Sequence, residues 1–264
     1  MRKRIVTLIP LVALIVVWEI LSHVIEHFTA FFSSPSAIVV MFVDELIHGD
    51  LLYHISVTAL ESFVGLFFGL VVGCAIGFSP FYYPKFSSVA YPYVVALSAI
   101  PTFAIAPLMI IWFGTGIIMK IVLAFLATVF ITAFQAYEGA RKVSVSDQLF
   151  FQVNKATKKQ SFWMLSFPSS LDWVIQSLKL NSGFCILGAF IGEYIASEQG
   201  IGYMIFKMNA LSDATYVFVG VICLVLLSSF YSIIASEINK NRLAIIRFVT
   251  RSTSLSNKSE DPEE

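Results

Sequence analysis

Six stretches of this chain are apolar and long enough to cross a bilayer as helices: residues 5–21, 54–78, 89–111, 117–136, 171–196 and 215–236. A helix needs about 20 apolar residues to span the hydrocarbon core, where every backbone N–H and C=O must be paired without help from water. Only helices and closed barrels meet that demand, and continuous apolar runs of this length lack the alternation of barrel strands. The expected fold is therefore all-α, a polytopic membrane protein of about six transmembrane helices. Composition agrees: 58% of the 264 residues are hydrophobic, 13% are charged, and the mean hydropathy is +0.83. A soluble protein carries about 25% charged residues to cover its core. With half of that cover missing, the lipid bilayer has to be the outer solvent. The formal net charge is zero, and no basic stripe follows a helix face, so nucleic acid is not an expected partner.

The chain opens Met1-Arg2-Lys3-Arg4 before its first apolar run, as a secretory signal would. Glu19, Ile20 and Leu21 follow that run in place of a small-residue cleavage site, so it reads as an uncleaved first span. Lys and Arg then orient the bundle. With the N-terminus inside, the inner segments 1–4, 79–88, 137–170 and 237–264 hold fourteen of the seventeen basic residues, and residues 22–53 hold none. The positive-inside rule predicts both termini in the cytoplasm. The last residues, 250–264, are Ser-rich and then acidic, the composition of a disordered tail. One membrane domain is expected over residues 1–249.

Within the spans, Gly65, Gly69, Gly73 and Gly77 recur every four residues, a stripe of small residues that lets two helices approach closely. Pro101 and Pro107 lie inside the third run. They predict either a helix broken near a transport path or a hairpin between the third and fourth spans. Glu61, Lys120, Lys179 and Glu193 are ionisable residues within or at the edge of spans, where charge is costly and faces a cavity or a partner. Lys120 and Lys179 sit near predicted span ends, within snorkelling reach of the interface. Glu61, Pro101, Pro107 and Glu193 are the candidate lining of a translocation path. His23 and His27 share a helix face, but nothing completes a coordination sphere around them, and no metal site is predicted. Cys74, Cys185 and Cys223 fall in apolar runs at no ligand or CxxC spacing and read as packing residues.

Residues 137–170 are the one long polar segment between spans. Apolar residues at helical spacing (Phe150, Phe151, Val153 and Ala156) accompany Lys155, Lys158 and Lys159 there, the pattern of one or two short amphipathic helices that meet lipid or a soluble partner. Pro168 is expected to end this helical segment and start the next span at an angle.

Here a specific resemblance emerges. Tyr91-Pro92, Ile100-Pro101, Ala106-Pro107-Leu108, Trp112-Phe113-Gly114-Thr115-Gly116 and Lys120 occur in order. Gly139-Ala140-Arg141-Lys142-Val143, Ala156, Pro168, Leu178-Lys179-Leu180, Gly192-Glu193 and Gly200-Ile201-Gly202-Tyr203 follow. With Ser34-Pro35-Ser36-Ala37 and Gly49-Asp50-Leu51 upstream, the chain resembles the permease subunits of ABC importers for sulfonates, taurine, nitrate and thiamine-precursor pyrimidines. The resemblance implies a MetI-like permease fold without a cofactor or catalysis of its own. It implies a bacterial inner-membrane location, a second permease copy or related chain, two copies of an ATP-binding subunit, and an extracytoplasmic solute-binding protein. It places the ATPase contact, the "EAA" coupling segment, on Phe150, Phe151, Val153, Lys155, Ala156, Lys158, Lys159 and Pro168. The chain departs from the family pattern where the motif's Glu falls on Leu149, its Gly on Lys155, and an arginine of the second span on Glu61.

Energy has to come from another subunit, since no GxxxxGK[ST] phosphate loop occurs. A transporter working alone would be expected to show inverted repeats, and a membrane enzyme to show paired carboxylates or His/Asp clusters at one interface. Neither pattern is visible in the sequence.

Overall fold

The computed structural model describes residues 2–25 and 32–241, so the tail at 250–264 and His27 lie outside the described residues. Every element among them is helical: α1 (Arg2–Val24), α2 (Pro35–Ile47), α3 (Leu51–Tyr82), α4 (Pro84–Ser98), α5 (Thr102–Phe113), α6 (Ile117–Arg141), α7 (Val145–Val153), α8 (Lys158–Ser161), α9 (Phe167–Ala196), α10 (Ile201–Ala210) and α11 (Ala214–Lys240). Four described helices are long and apolar enough to cross a membrane: α3, α6, the continuous run Lys158–Ala196, and α11. The helices α4 and α5 form a broken fifth apolar pair, bent by 95°. In α1 the apolar described stretch is the shorter Val12–Val24.

The bundle is built around α6, which packs between α3 and α9. Gly65, Gly69, Gly73 and Gly77 of α3 face Ala124, Thr128, Thr132 and Ala136 of α6 in that order. Two rows of small residues, each with a period of four, thus run in register along parallel helices. A Cβ added at Gly73 would sit 2.6 Å from the Val129 carbonyl oxygen, and one at Gly77 2.6 Å from the Ala136 Cβ. On the other flank, a Cβ at Gly188 of α9 would lie 2.7 Å from the Ala124 Cα. In lipid, where burying apolar surface drives nothing, this backbone proximity supplies the packing energy that holds helices together. Gly73→Leu should therefore cost about 1–3 kcal/mol by overpacking, read as a lower melting temperature of the purified protein. An equal melting temperature would show that the helices are not held this closely.

Polar pins add to the packing. Asn181 of α9 donates to Thr132 Oγ1 of α6 at 2.8 Å. Tyr231 of α11 donates to the Ala59 carbonyl of α3 at 2.8 Å, and Tyr91 of α4 donates to Glu138 Oε1 of α6 at 2.9 Å. Cys185 and Cys223 are buried among apolar side chains as packing residues.

The prolines divide in their effect. The run at residues 89–111 breaks at Ala99–Pro101, as its prolines predicted, with Pro101 extended (φ −63°, ψ 119°) ahead of α5. Pro107 lies inside α5 and does not end it. The expectation for Pro168 needs correction, because it does not stop the cytoplasmic segment. Helix continues from Lys158 to Ala196 through a π turn at Phe162–Ser166, with Pro168 in the first turn of α9. Pro lacks an N–H and crowds the carbonyl four residues back. The wider i→i+5 turn immediately before it, closed by the Phe167 N–H on the Phe162 carbonyl, makes the room that a regular turn would not.

Candidate functional site

Chemistry-bearing side chains gather at the two ends of the bundle. At the end where α3 and α6 begin and α9 finishes, Glu61 and Lys120 extend the two small-residue rows by one further step. Lys120 Nζ lies 3.3 Å from Glu61 Oε1 with both side chains sealed from solvent. Neither oxygen of Glu61 has a hydrogen-bond partner among the described residues, so the ammonium is its compensation. Lys120 also donates to Ser197 Oγ at 2.7 Å, beyond the end of α9. The snorkelling expected of Lys120 is overturned: the same stripe that brings α3 against α6 encloses its side chain between α3, α6 and α9.

Glu193, 1% exposed, stands in the field of Glu61 and Lys120 but has separate work. The first N–H groups of a helix have no partner within it and carry partial positive charge. At the start of α10, the Gly200 N–H donates to His54 Nδ1 at 3.0 Å and the Ile201 N–H donates to Thr58 Oγ1 at 2.9 Å. The Gly202 N–H donates to Glu193 Oε2 at 2.7 Å, and Thr58 donates to Glu193 Oε1 at 2.7 Å. Gly200, at φ +101°, has the carboxyl of Glu193 where a Cβ would be, so only glycine admits this contact. Together α3 and α9 cap α10 and fix the turn before it. A polar cavity of about 580 Å³ opens beside this knot, lined by Tyr53, Thr115, Gly116, Lys120, Ser197 and Gln199 among others.

Of the four residues expected along a path, the structure thus brings Glu61 and Glu193 together, while Pro101 and Pro107 are exposed. Sequence reading missed His54, Thr58 and Ser197. A signal was present for the ion pair: counting back by four from Gly65 reaches Glu61, and counting back by four from Ala124 reaches Lys120.

At the opposite end, the segment after α6 folds as two short helices. Ser144 caps α7, accepting the Asp147 N–H at 3.1 Å. Thr157 and Gln160 form a reciprocal capping box on α8, the arrangement that satisfies two orphan donors at once. Between them Lys155 takes φ +51°, with its N–H on the Gln152 carbonyl and the Ala156 N–H on the Phe151 carbonyl, each at 3.0 Å. That pair of hydrogen bonds closes a helix through a left-handed residue, the position that glycine fills most readily. Lysine there is strained, so Lys155→Gly should steady this turn by about 0.5–1 kcal/mol, the left-handed strain relieved less the entropy that glycine loses on folding. The measurement is limited proteolysis, which should slow between Asn154 and Thr157; faster cleavage would contradict it.

The apolar strip differs from the expected one. Val145, Leu149, Phe150 and Val153 share the outer face of α7, with Phe150 64% and Val153 79% exposed. Phe151 and Ala156 turn instead into a crevice beneath α7, together with Lys158. Lys155 and Lys159 are exposed, and Pro168 belongs to the span that follows.

Residues 65–242 match the family described as binding-protein-dependent transport system inner membrane component. This chain belongs to that family. It is similar to the formylaminopyrimidine transport permease protein ThiX of Halalkalibacterium halodurans, at 29% identity over 214 residues, covering 81% of this chain and 85% of the relative. It is also similar to the putative aliphatic sulfonates transport permease protein SsuC of Bacillus subtilis, at 26% identity over 218 residues, covering 81% and 78%. Among solved structures, a chain of the inward-facing MetNI methionine ABC transporter shares the fold, with a TM-score of 0.57 at 18% identity over 71% of this chain and 95% of that one. The family member described here is a multi-pass membrane permease subunit of an ABC importer.

Proposed function

We propose that this permease works with two copies of a separate ATPase, and that α7 is the element that meets it. The observation that supports this is the outer face of α7. Val145, Leu149, Phe150 and Val153 form an exposed apolar strip on a short helix outside every span, with Lys155 and Lys159 exposed beside it. Such a face gains by entering a groove on a soluble partner. One coupling helix per chain and ATPases that act in pairs favour two permease copies, or one copy and a related chain, about an axis along the membrane normal. The solute is small and organic, anionic or heterocyclic, in line with relatives named for formylaminopyrimidine, aliphatic sulfonates, taurine and riboflavin. An extracytoplasmic binding protein delivers it.

In this reading the chain lies in a bacterial inner membrane with both termini and residues 137–170 in the cytoplasm, as its Lys and Arg distribution favours. Cysteine labelling of intact cells tests the orientation. Asp50→Cys, at the exposed N-cap of α3, should react with an impermeant maleimide, and Ser146→Cys, on exposed α7, should react only after permeabilisation. The reverse pattern would sink the proposal, since no cytoplasmic ATPase could then reach α7.

A further inference from the structure

We infer that the crevice under α7 is a binding site for the phosphate headgroup of an anionic membrane phospholipid. This rests on the membrane-spanning reading above but not on the identity of the ATPase. The crevice holds about 490 Å³ between the end of α3 (Phe81), the end of α6 (Arg141), the π turn (Leu165, Ser166), and Phe151 and Lys158. Its chemistry is divided. Arg141 and Lys158 supply two cations, and among the described residues neither is ion-paired with a carboxylate; Arg141 donates one exposed hydrogen bond to the Tyr137 hydroxyl at 3.3 Å and lies over its ring. Phe81, Phe151 and Leu165 supply an apolar wall directly beside them.

Depth decides which anion fits. Arg141 is the last residue of α6 and Phe81 the penultimate residue of α3, so the crevice sits where the apolar spans end and headgroups begin. Phe78, Phe81, Tyr82, Phe162, Trp163 and Phe167 cluster at that level, as aromatic residues do at a membrane interface. Basic pockets between helices at this depth recognise phospholipid headgroups. A free anion would gain nothing from the apolar wall, whereas a phospholipid can lay its glycerol and upper acyl chain on Phe81 and Leu165. An ATPase would meet the other side of α7, since Phe151 turns into the crevice while Phe150 and Val153 face out. The occupant would therefore support α7 from behind and make coupling sensitive to anionic lipid.

The test uses the full-length chain, with any ATPase that co-purifies, in neutral detergent. It is titrated with phosphatidylglycerol, phosphatidylcholine or inorganic phosphate, and lipid adducts are counted by native mass spectrometry. Phosphatidylglycerol should bind the wild type and bind Arg141→Gln/Lys158→Gln about thirtyfold more weakly, the loss expected for two interfacial cations. Phosphatidylcholine should bind both weakly, and excess inorganic phosphate should not displace phosphatidylglycerol. Equal binding of the two lipids, unchanged binding by the double variant, or displacement by inorganic phosphate would each overturn the inference. Should the double variant fail to assemble, wild-type binding must still weaken as salt is raised, because interfacial charges are screened; binding indifferent to salt also overturns it. Failure of the ATPase assignment would appear separately, as an ATPase that still co-purifies when the outer face of α7 is truncated, with lipid binding intact.

Discussion

Replacing Lys120 with methionine should destabilise the folded permease by about 3–5 kcal/mol, the cost of stranding one member of a buried ion pair. Methionine keeps most of the volume of the side chain, so the change removes charge more than packing. Glu61 is fully buried and loses its one close cation, and Ser197 loses the donor that ties the end of α9 to α6. On the side of the small-residue rows no water can reach the carboxylate, because α3 and α6 are in contact just below it. A second substitution separates the charge effect from the packing effect. Lys120→Met/Glu61→Met removes both charges together, and such replacements are often neutral or stabilising. The single variant should lower the melting temperature of the purified protein by on the order of 10 °C, and the double variant should recover most of that loss. If the two variants melt together well below wild type, the pair is not what holds this end of the bundle.

Truncating the outer face of α7 should have a comparable effect on assembly and very little on the fold. Leu149→Ala/Phe150→Ala/Val153→Ala removes apolar groups that are more than half exposed, so the isolated permease has little packing to lose. A bound ATPase that covers them gains roughly 1.5–3 kcal/mol from a fully buried large side chain. Losing three such contacts should weaken docking by on the order of 1,000-fold or more, at about 1.4 kcal/mol for each factor of ten. The measurement is the yield of ATPase recovered with tagged permease, against an unchanged melting temperature of the permease. Phe151→Ala is the control: its ring lines the crevice and is turned from the outer face, so it should leave co-purification much less affected. Full recovery of the ATPase by the triple variant would place coupling on another surface of the chain.

Leu149 shows how much of this site could be read from the residues alone. Its apolar character marks a departure from the family pattern, and the structure puts it on the exposed outer face of α7. The positive φ of Lys155 explains why the family pattern has glycine at that position, which spacing by itself does not reveal. Helical periodicity grouped Phe151 with Phe150, because neighbours in a short amphipathic segment can be assigned to either edge of a broad apolar face. Only the path of the chain from Arg141 into α7 turns one ring outward and the other toward the bundle.

What the sequence determined by itself is what depends on solvent and on local geometry. Apolar runs of span length require helices in lipid, glycines every four residues require a close helix neighbour, and Pro101 after Ile100 requires a break. None of these needs a partner to be known. Which neighbour the glycine stripe meets, and in what register, is a property of two helices separated by the whole of α4 and α5, and so tertiary structure decided it. Pairing Gly65 with Ala124 fixes Glu61 beside Lys120, buries a lysine that sequence position alone assigned to the interface, and leaves Glu193 to cap α10. A charge near the end of a span has two stable outcomes in a membrane, water at the interface or a counter-charge inside. The choice between them rests on distances that only the packed bundle sets.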